Sequence, residues 1–276
     1  MNNYKICCLY SGSKGNSTFI SAAGTNILID AGKSARALCT ALSQINVDID
    51  SIDAIFVTHE HKDHISALQT LSHKHSIPVH MLLSSAQIFN GLRDEKLCNS
   101  LVLYRGKEFE AKIKGLSIKA FPTSHDSLSS VGYRISFDAD NGEQISIGYL
   151  TDTGCVTDNI KNSLLGCETV ILEANHDKEM LENGPYPYDL QQRIRGKLGH
   201  LSNCECAALA ASLFENGTKN IMLAHLSEEN NRPEIAYNEV LSAIASEELN
   251  LCVASQYLPV WLEKCQSEGE KTAWQQ

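Results

Sequence analysis

Thr58-His59-Glu60-His61-Lys62-Asp63-His64 places three imidazoles and the carboxylate of Asp63 within six residues, directly after an apolar run, Asp53-Ala54-Ile55-Phe56-Val57. That run has the β-branched character of a buried parallel strand, and a helical pattern carried by Ile65, Leu68 and Leu71 begins at Asp63. The cluster therefore belongs on a tight strand-to-helix turn. His59 and His61, two apart, project to one side of it, and Asp63 and His64 at the helix mouth face a second position. Imidazole nitrogen with carboxylate oxygen suits zinc, manganese or iron(II) better than calcium or magnesium. The stretch reads as half of a two-metal site.

Outward from this turn the chain alternates strand-like and helix-like segments. Lys5–Tyr10, Ser17–Ser21 and Thr25–Ile29 read as strands, and Ser34 caps a helix to about Ile45. In the second half, 116–121, 131–137, 144–150 and 169–172 read as strands, with Asn141-Gly142 as a hairpin turn. Ser202-Asn-Cys-Glu205 is a capping box, 220–224 is a strand, Pro233 opens a helix, and 249–254 closes as a strand. Two sheets face to face with helices outside would account for the pattern. The 276 residues show no linker, so one domain over 1–276 is expected, with a short polar tail after about 266.

No signal peptide or membrane-length apolar run is present, and the ten cysteines include no Cys-x-x-Cys pair. A cytoplasmic protein with reduced thiols, without a membrane, is expected. The net charge of −10 argues against a broad basic nucleic-acid surface. It does not exclude a nuclease, because two divalent cations would reverse the field where a phosphate binds.

Three more residues with ligand chemistry follow strands: His125 after 116–121, Asp152 after 144–150 and His225 after 220–224. Such strand ends are where open α/β folds gather their sites. Each signal alone equally fits a packing histidine or a turn-capping Asp; with the first cluster they complete a seven-ligand set.

The series His59-x-His61-x-Asp63-His64, His125, Asp152, His225 resembles the dinuclear metallo-β-lactamase-fold hydrolases over nearly the whole chain. Ser11-Gly-Ser-Lys-Gly-Asn-Ser17, Leu28-Ile-Asp-Ala-Gly32, Leu172-Glu-Ala-Asn-His-Asp177 and Gly199-His-Leu-Ser-Asn203 resemble the bacterial YycJ/WalJ group, linked to DNA exonuclease activity. The resemblance implies an α/β fold of four layers, an αββα sandwich. It implies two divalent transition-metal ions, one held by His59, His61 and His125, the other by Asp63, His64 and His225, with Asp152 bridging them. Asp30 resembles the buried aspartate that supports the metal turn in this fold. Relatives differ: β-lactamases proper usually use a cysteine at the second position, so Cys155 is a decoy, and β-CASP nucleases insert a domain for which Asp152 to His225 leaves no room. Neither the thioesterase turn at the third histidine nor a transfer-RNA-clamping arm is evident.

Two such ions make a shared, bridging water acidic enough to attack phosphorus as hydroxide and stabilise the charge that develops. A leaving alkoxide still needs a proton, and His200 is the candidate general acid beside Asp63 and Asp152; alternatively it only hydrogen-bonds the helix cap. Glu173 either orients His200 or supports a metal-bound histidine. The turn bearing Ser13, Lys14 and Asn16 is either a phosphate nest or a hairpin, and Arg193, Arg195 and Lys197 are either phosphate contacts or a helix surface. His176 and Asp177 belong to the substrate rim or merely end a strand. The expected activity is phosphodiester hydrolysis on nucleic acid, DNA above all, 5'-directed by resemblance. Hydrolysis of a small cyclic or linear diester, or of an ester, lactone or thioester, are the alternatives.

Overall fold

A computed structural model describes residues 4–88 and 93–262. The expected tail after about 266 lies outside the described residues. The first sheet contains β1 (Tyr4–Tyr10), β2 (Ser17–Ala22), β3 (Thr25–Ile29), β4 (Ala54–Phe56), β5 (Val79–Leu82), β6 (Leu101–Tyr104) and β14 (Val260–Trp261), in the order β14-β1-β2-β3-β4-β5-β6. The second contains β7 (Phe109–Ile113), β8 (Leu116–Pro122), β9 (Val131–Asp138), β10 (Gln144–Leu150), β11 (Thr169–Glu173), β12 (Asn220–Ala224) and β13 (Asn250–Val253), in the order β13-β12-β11-β10-β9-β8-β7. Each sheet pairs antiparallel strands in its N-terminal part and parallel strands after them. The two halves repeat one topology that the sequence does not display as a repeat.

Alternation along the strands decides the layering. Ile6, Ile20, Ile27 and Phe56 of the first sheet pack against Tyr133, Ile135, Ile147 and Met222 of the second in a common core. The opposite face of the first sheet is covered by α1 (Ala35–Gln44), α2 (Lys62–Ile65), α3 (Leu68–His75) and α4 (Leu83–Ile88), through Leu38, Leu42, Ile65, Leu68 and Ala86. After α5 (Glu95–Ser100), the helices α6 (Asp158–Leu164), α9 (Asn203–Phe214) and α10 (Pro233–Ile244) cover the second sheet through Ile160, Leu209, Leu213 and Val240. The short α7 (Lys178–Asn183) and α8 (Tyr188–Ile194) lie between β11 and α9 in the chain. The architecture is the expected αββα sandwich.

Local chemistry sets the helix starts. Ser34 Oγ accepts from the Ala37 N–H, Ser202 and Glu205 form the reciprocal capping box, and Pro233 occupies the first turn of α10. Strands β6 and β7 and helices α4 to α8, short and partly exposed, are additions to the sequence reading. No helix among the described residues is long and apolar enough to cross a membrane, and each cysteine among them is free.

Candidate metal centre

The turn after β4 is fixed from beneath by Asp30, at the end of β3. Its Oδ1 accepts from the Thr58 N–H at 2.8 Å, and its Oδ2 accepts from the Thr58 hydroxyl and from His64 Nδ1, both at 2.8 Å. With Nδ1 committed, His64 presents Nε2 to the site. Thr58 Oγ also contacts His59 Nδ1 at 3.0 Å, which turns His59 Nε2 the same way. Gly32 permits this arrangement: a Cβ there would lie 1.5 Å from the Asp63 carbonyl oxygen. Into that close approach fit the bonds from Ala31 N–H to His64 O (2.8 Å) and from Asn16 N–H to Asp63 O (2.8 Å).

The second sheet supplies the other wall. His125 follows β8 and donates through Nδ1 to the Gly199 carbonyl at 3.1 Å, with Nε2 3.3 Å from His61 Nδ1. Asp152 and His225 follow β10 and β12, both at φ 58°, and Asp30 stands at φ 63°. The left-handed backbone costs a non-glycine residue on the order of 1–2 kcal/mol, so three strand ends are held in it by their surroundings. At His225, Ser11 Oγ accepts the backbone N–H at 2.6 Å.

These elements bring together the seven residues expected as ligands. Donor atoms converge within 4.8 Å in four overlapping groups: His59, His61 and His125; Asp63, His64 and His225; His59, His64 and Asp152; and Asp152, Glu173, His200 and His225. Cys155 joins none of them. The groups differ in what their donors have left to give. In the last, Glu173 is fully buried and already saturated: Oε1 accepts from His200 Nδ1 (2.7 Å) and His225 Nδ1 (2.8 Å), and Oε2 from the Thr153 and Leu201 N–H groups (3.0 and 3.1 Å). In contrast His59 Nε2, His225 Nε2 and Asp152 Oδ2 are buried with no hydrogen-bond partner. Buried nitrogen and oxygen donors are rarely left unpaired, and three in one cleft fit a bound cation. The fold and this donor set support divalent-metal binding.

Charge is arranged to match. Burial, then the surrounding imidazoles, holds His59 well below its ordinary range, so its lone pair is available. Burial would also lower His225, but the carboxylates of Asp152 and Glu173 overcome it and raise the ring to about 9. Despite burial, Asp152 is held low by His225, His64 and His125, and Glu173 is held low by His200 and His225.

His200, partly exposed, lies between the rings of His125 and His225, with centroids 5.0 and 5.2 Å away. One oxygen of Glu173 contacts both His200 and His225, the two histidines between which its role was left open. The nest reading of the Ser11–Ser17 turn requires correction at Asn16. Its side chain is buried and turned inward, with Nδ2 donating to Asp63 Oδ2 (3.2 Å) and reaching His64 Nε2 (3.0 Å) while Oδ1 accepts from the Gly12 N–H (2.8 Å). Lys14 is exposed and paired with Glu228 at 2.6 Å. Ser13, Arg195 and Lys197 are not among the residues that converge on the donors. Arg193 bonds Asp126, whose Oδ1 is 3.3 Å from His125 Nε2. Asp126, Thr58 and Ser11 were not anticipated as site residues; the carboxylate directly beside His125 was the one legible signal among them. His176 is buried and bridges to Ser202 rather than forming a rim, and Asp177 caps α7.

The chain matches the β-lactamase superfamily domain over residues 25–225. It is 34% identical over 254 residues to the exodeoxyribonuclease WalJ of Streptococcus pneumoniae, covering 91% of each chain. It is 33% identical over 232 residues to the exodeoxyribonuclease YycJ of Bacillus anthracis, covering 83% of this chain and 84% of that one. Among solved structures, the metallo-β-lactamase fold protein YhfI of Bacillus subtilis superposes with a TM-score of 0.69 at 15% identity, over 94% of this chain and 99% of that one. At that identity the likeness concerns the fold alone.

Proposed function

The chain belongs to the metallo-β-lactamase superfamily, in the group of WalJ and YycJ, and from that premise we propose that it is a metal-dependent exodeoxyribonuclease attacking DNA from the 5' end. The observation that carries the reading is a saturated Glu173 holding His200 beside a set of buried donors that are themselves unsatisfied. The first implies a residue kept for proton transfer, the second a place for cations.

His59, His61 and His125 would hold one ion and Asp63, His64 and His225 a second, with Asp152 shared between the two groups. Zinc, manganese and iron(II) all suit these donors. When bound, such ions supply Lewis acidity to the phosphate and to an attacking water. The chain's own residues do the rest. Glu173 fixes His200 through Nδ1, so that Nε2 is the atom able to protonate the departing oxygen. Asp30 and Thr58 hold His64 and His59 in the tautomers that turn Nε2 inward. Arg193, at the cleft beside Asp126, is the basic residue best situated to meet a phosphate; Lys14, Ser13, Arg195 and Lys197 act farther along the strand. The central core draws on both sheets, which supports one catalytic unit, and buried free thiols such as Cys7 and Cys206 suit the reducing cytoplasm.

The test is hydrolysis by zinc-, manganese- or iron-loaded protein of 5'- and 3'-end-labelled DNA, matched RNA and a chromogenic phosphodiester. Stepwise loss of the 5' label from DNA is expected. Turnover of the small diester with DNA left intact would overturn the nuclease reading, and loss beginning at the 3' end would overturn its polarity.

A further inference from the structure

Three loops meet in a cluster beside His225. The Ser11 N–H donates to the Ser255 carbonyl at 3.1 Å, Gln256 Nε2 donates to the Leu226 carbonyl at 3.0 Å, and Ser11 Oγ holds the His225 N–H. The segment after β13 is thereby tied to the segment that carries His225. Above these ties stands Tyr257. The residue is 60% exposed, yet its hydroxyl donates to Glu228 Oε1, while Lys14 Nζ pairs with Glu228 Oε2 at 2.6 Å.

An exposed tyrosine on a loop tip ordinarily rotates freely. Here the polar end of the ring is tethered and its backbone N–H donates to Ser255 Oγ at 3.2 Å, so the aromatic face is presented to solvent in a fixed attitude. Leu258 beside it is also exposed, as are Leu128, near His125, and Leu198, near His200. Two of these exposed apolar side chains, Leu128 and Leu198, thus stand on the segments that carry His125 and His200. A flat, braced π-surface next to a lysine, at the edge of a phosphate-cleaving site, matches the two faces of a nucleotide: a base that stacks and a phosphate that pairs with a cation.

Resting on the nuclease reading, we propose that Tyr257 is a stacking platform for an unpaired base of the DNA strand, with Glu228 as the brace that sets the ring. Lys14 supplies the adjacent phosphate contact. Bases in a duplex are already stacked on one another, so the platform selects a single-stranded or frayed end.

The experiment measures binding of metal-loaded, full-length protein to a phosphorothioate-linked single-stranded oligonucleotide by fluorescence anisotropy. Tyr257→Ala should weaken binding roughly 5- to 100-fold, the range for loss of one base–aromatic stack, while Tyr257→Trp, which keeps an aromatic face but not the hydroxyl brace, should retain most of it. Tyr257→Phe, which keeps the ring and loses the brace, should fall between. An abasic nucleotide is then moved along the strand. At one position the wild type should lose affinity and Tyr257→Ala should lose no more, because base and ring are partners. Unchanged binding by Tyr257→Ala, or an equal loss at every abasic position, overturns the platform. If the wild type cleaves DNA in those cases, the nuclease reading stands without the platform; if it neither binds nor cleaves DNA, both fall.

Discussion

The side-chain amide of Asn16 donates to Asp63 Oδ2 at 3.2 Å and lies 3.0 Å from Nε2 of His64, so one buried residue spans two of the donors assigned to the second ion. Its oxygen is committed to the Gly12 N–H, which leaves only its N–H groups to face them. Asn16→Asp replaces a donor with a charge. It should tighten divalent-metal binding by roughly tenfold or more, the scale of changes beside metal ligands. It should also destabilise the metal-free protein, where two carboxylates then face each other. Titration against a chelator-buffered zinc series, with thermal melts of the metal-free form, checks both; unchanged affinity would mean that Asn16 only holds the backbone.

Two ions per chain are expected by elemental analysis after reconstitution. Their removal should lower the melting temperature, since a ligand present at about 1,000 times its dissociation constant stabilises the folded state by ~4 kcal/mol. Asp152→Asn should retain the fold and weaken both positions.

His200→Ala should keep both ions and lose about 10²–10⁴-fold in kcat on DNA, the range for a general acid. A nitrophenyl diester, whose leaving group needs no proton, should be spared most of that loss. Glu173→Gln should do more than His200→Ala, lowering metal content as well as rate, because its Oε1 also positions His225. Loss of a metal in His200→Ala would make His200 a ligand.

Arg193→Ala should raise KM on DNA and reduce the salt slope of binding by about one, as for a single phosphate contact. The loss on DNA should exceed any loss on a small diester. Equal losses would assign Arg193 to holding Asp126 beside His125.

Away from the site, His80 is buried against Phe56, ring centroids 4.4 Å apart, and burial lowers it to about 4. An unfolded histidine titrates near 6.5. Between those values the unfolded chain binds a proton that the folded chain does not, so this group's contribution falls as pH drops from about 6.5 to 4 and is constant above. The loss is on the order of 2–3 kcal/mol. Urea melts of metal-free wild type and His80→Leu at pH 7 and pH 4.5 should show the smaller pH dependence in the variant; parallel curves would sink the assignment.

The first four ligand candidates were legible because they are contiguous, and the other three because each follows an apolar strand. The inward role of Asn16 was not, and Asp126 was marked only by its position beside His125. Asn16 stands 47 positions from Asp63 in a glycine-flanked turn, where an asparagine has sufficient local reason to occur. Glu173 was readable as a helper of either His200 or a metal-bound histidine, but one oxygen shared between the two emerges only once β11 lies beside β12. The ends of the sheets were the least readable part of the fold. Strand β7 alternates weakly, with Ala111 its only buried residue, and so carries little hydrophobic period.

The left-handed backbone at Asp152 and His225 has a bearing on how this protein would respond to selection. Glycine adopts that conformation freely and asparagine tolerates it better than histidine does. A library screened only for heat tolerance in the absence of metal should therefore drift toward glycine at 152 and toward glycine or asparagine at 225, yielding robust chains with no chemistry. Screens that keep metal in the medium should hold both positions, because the ion then rewards the residues that the bare fold would discard.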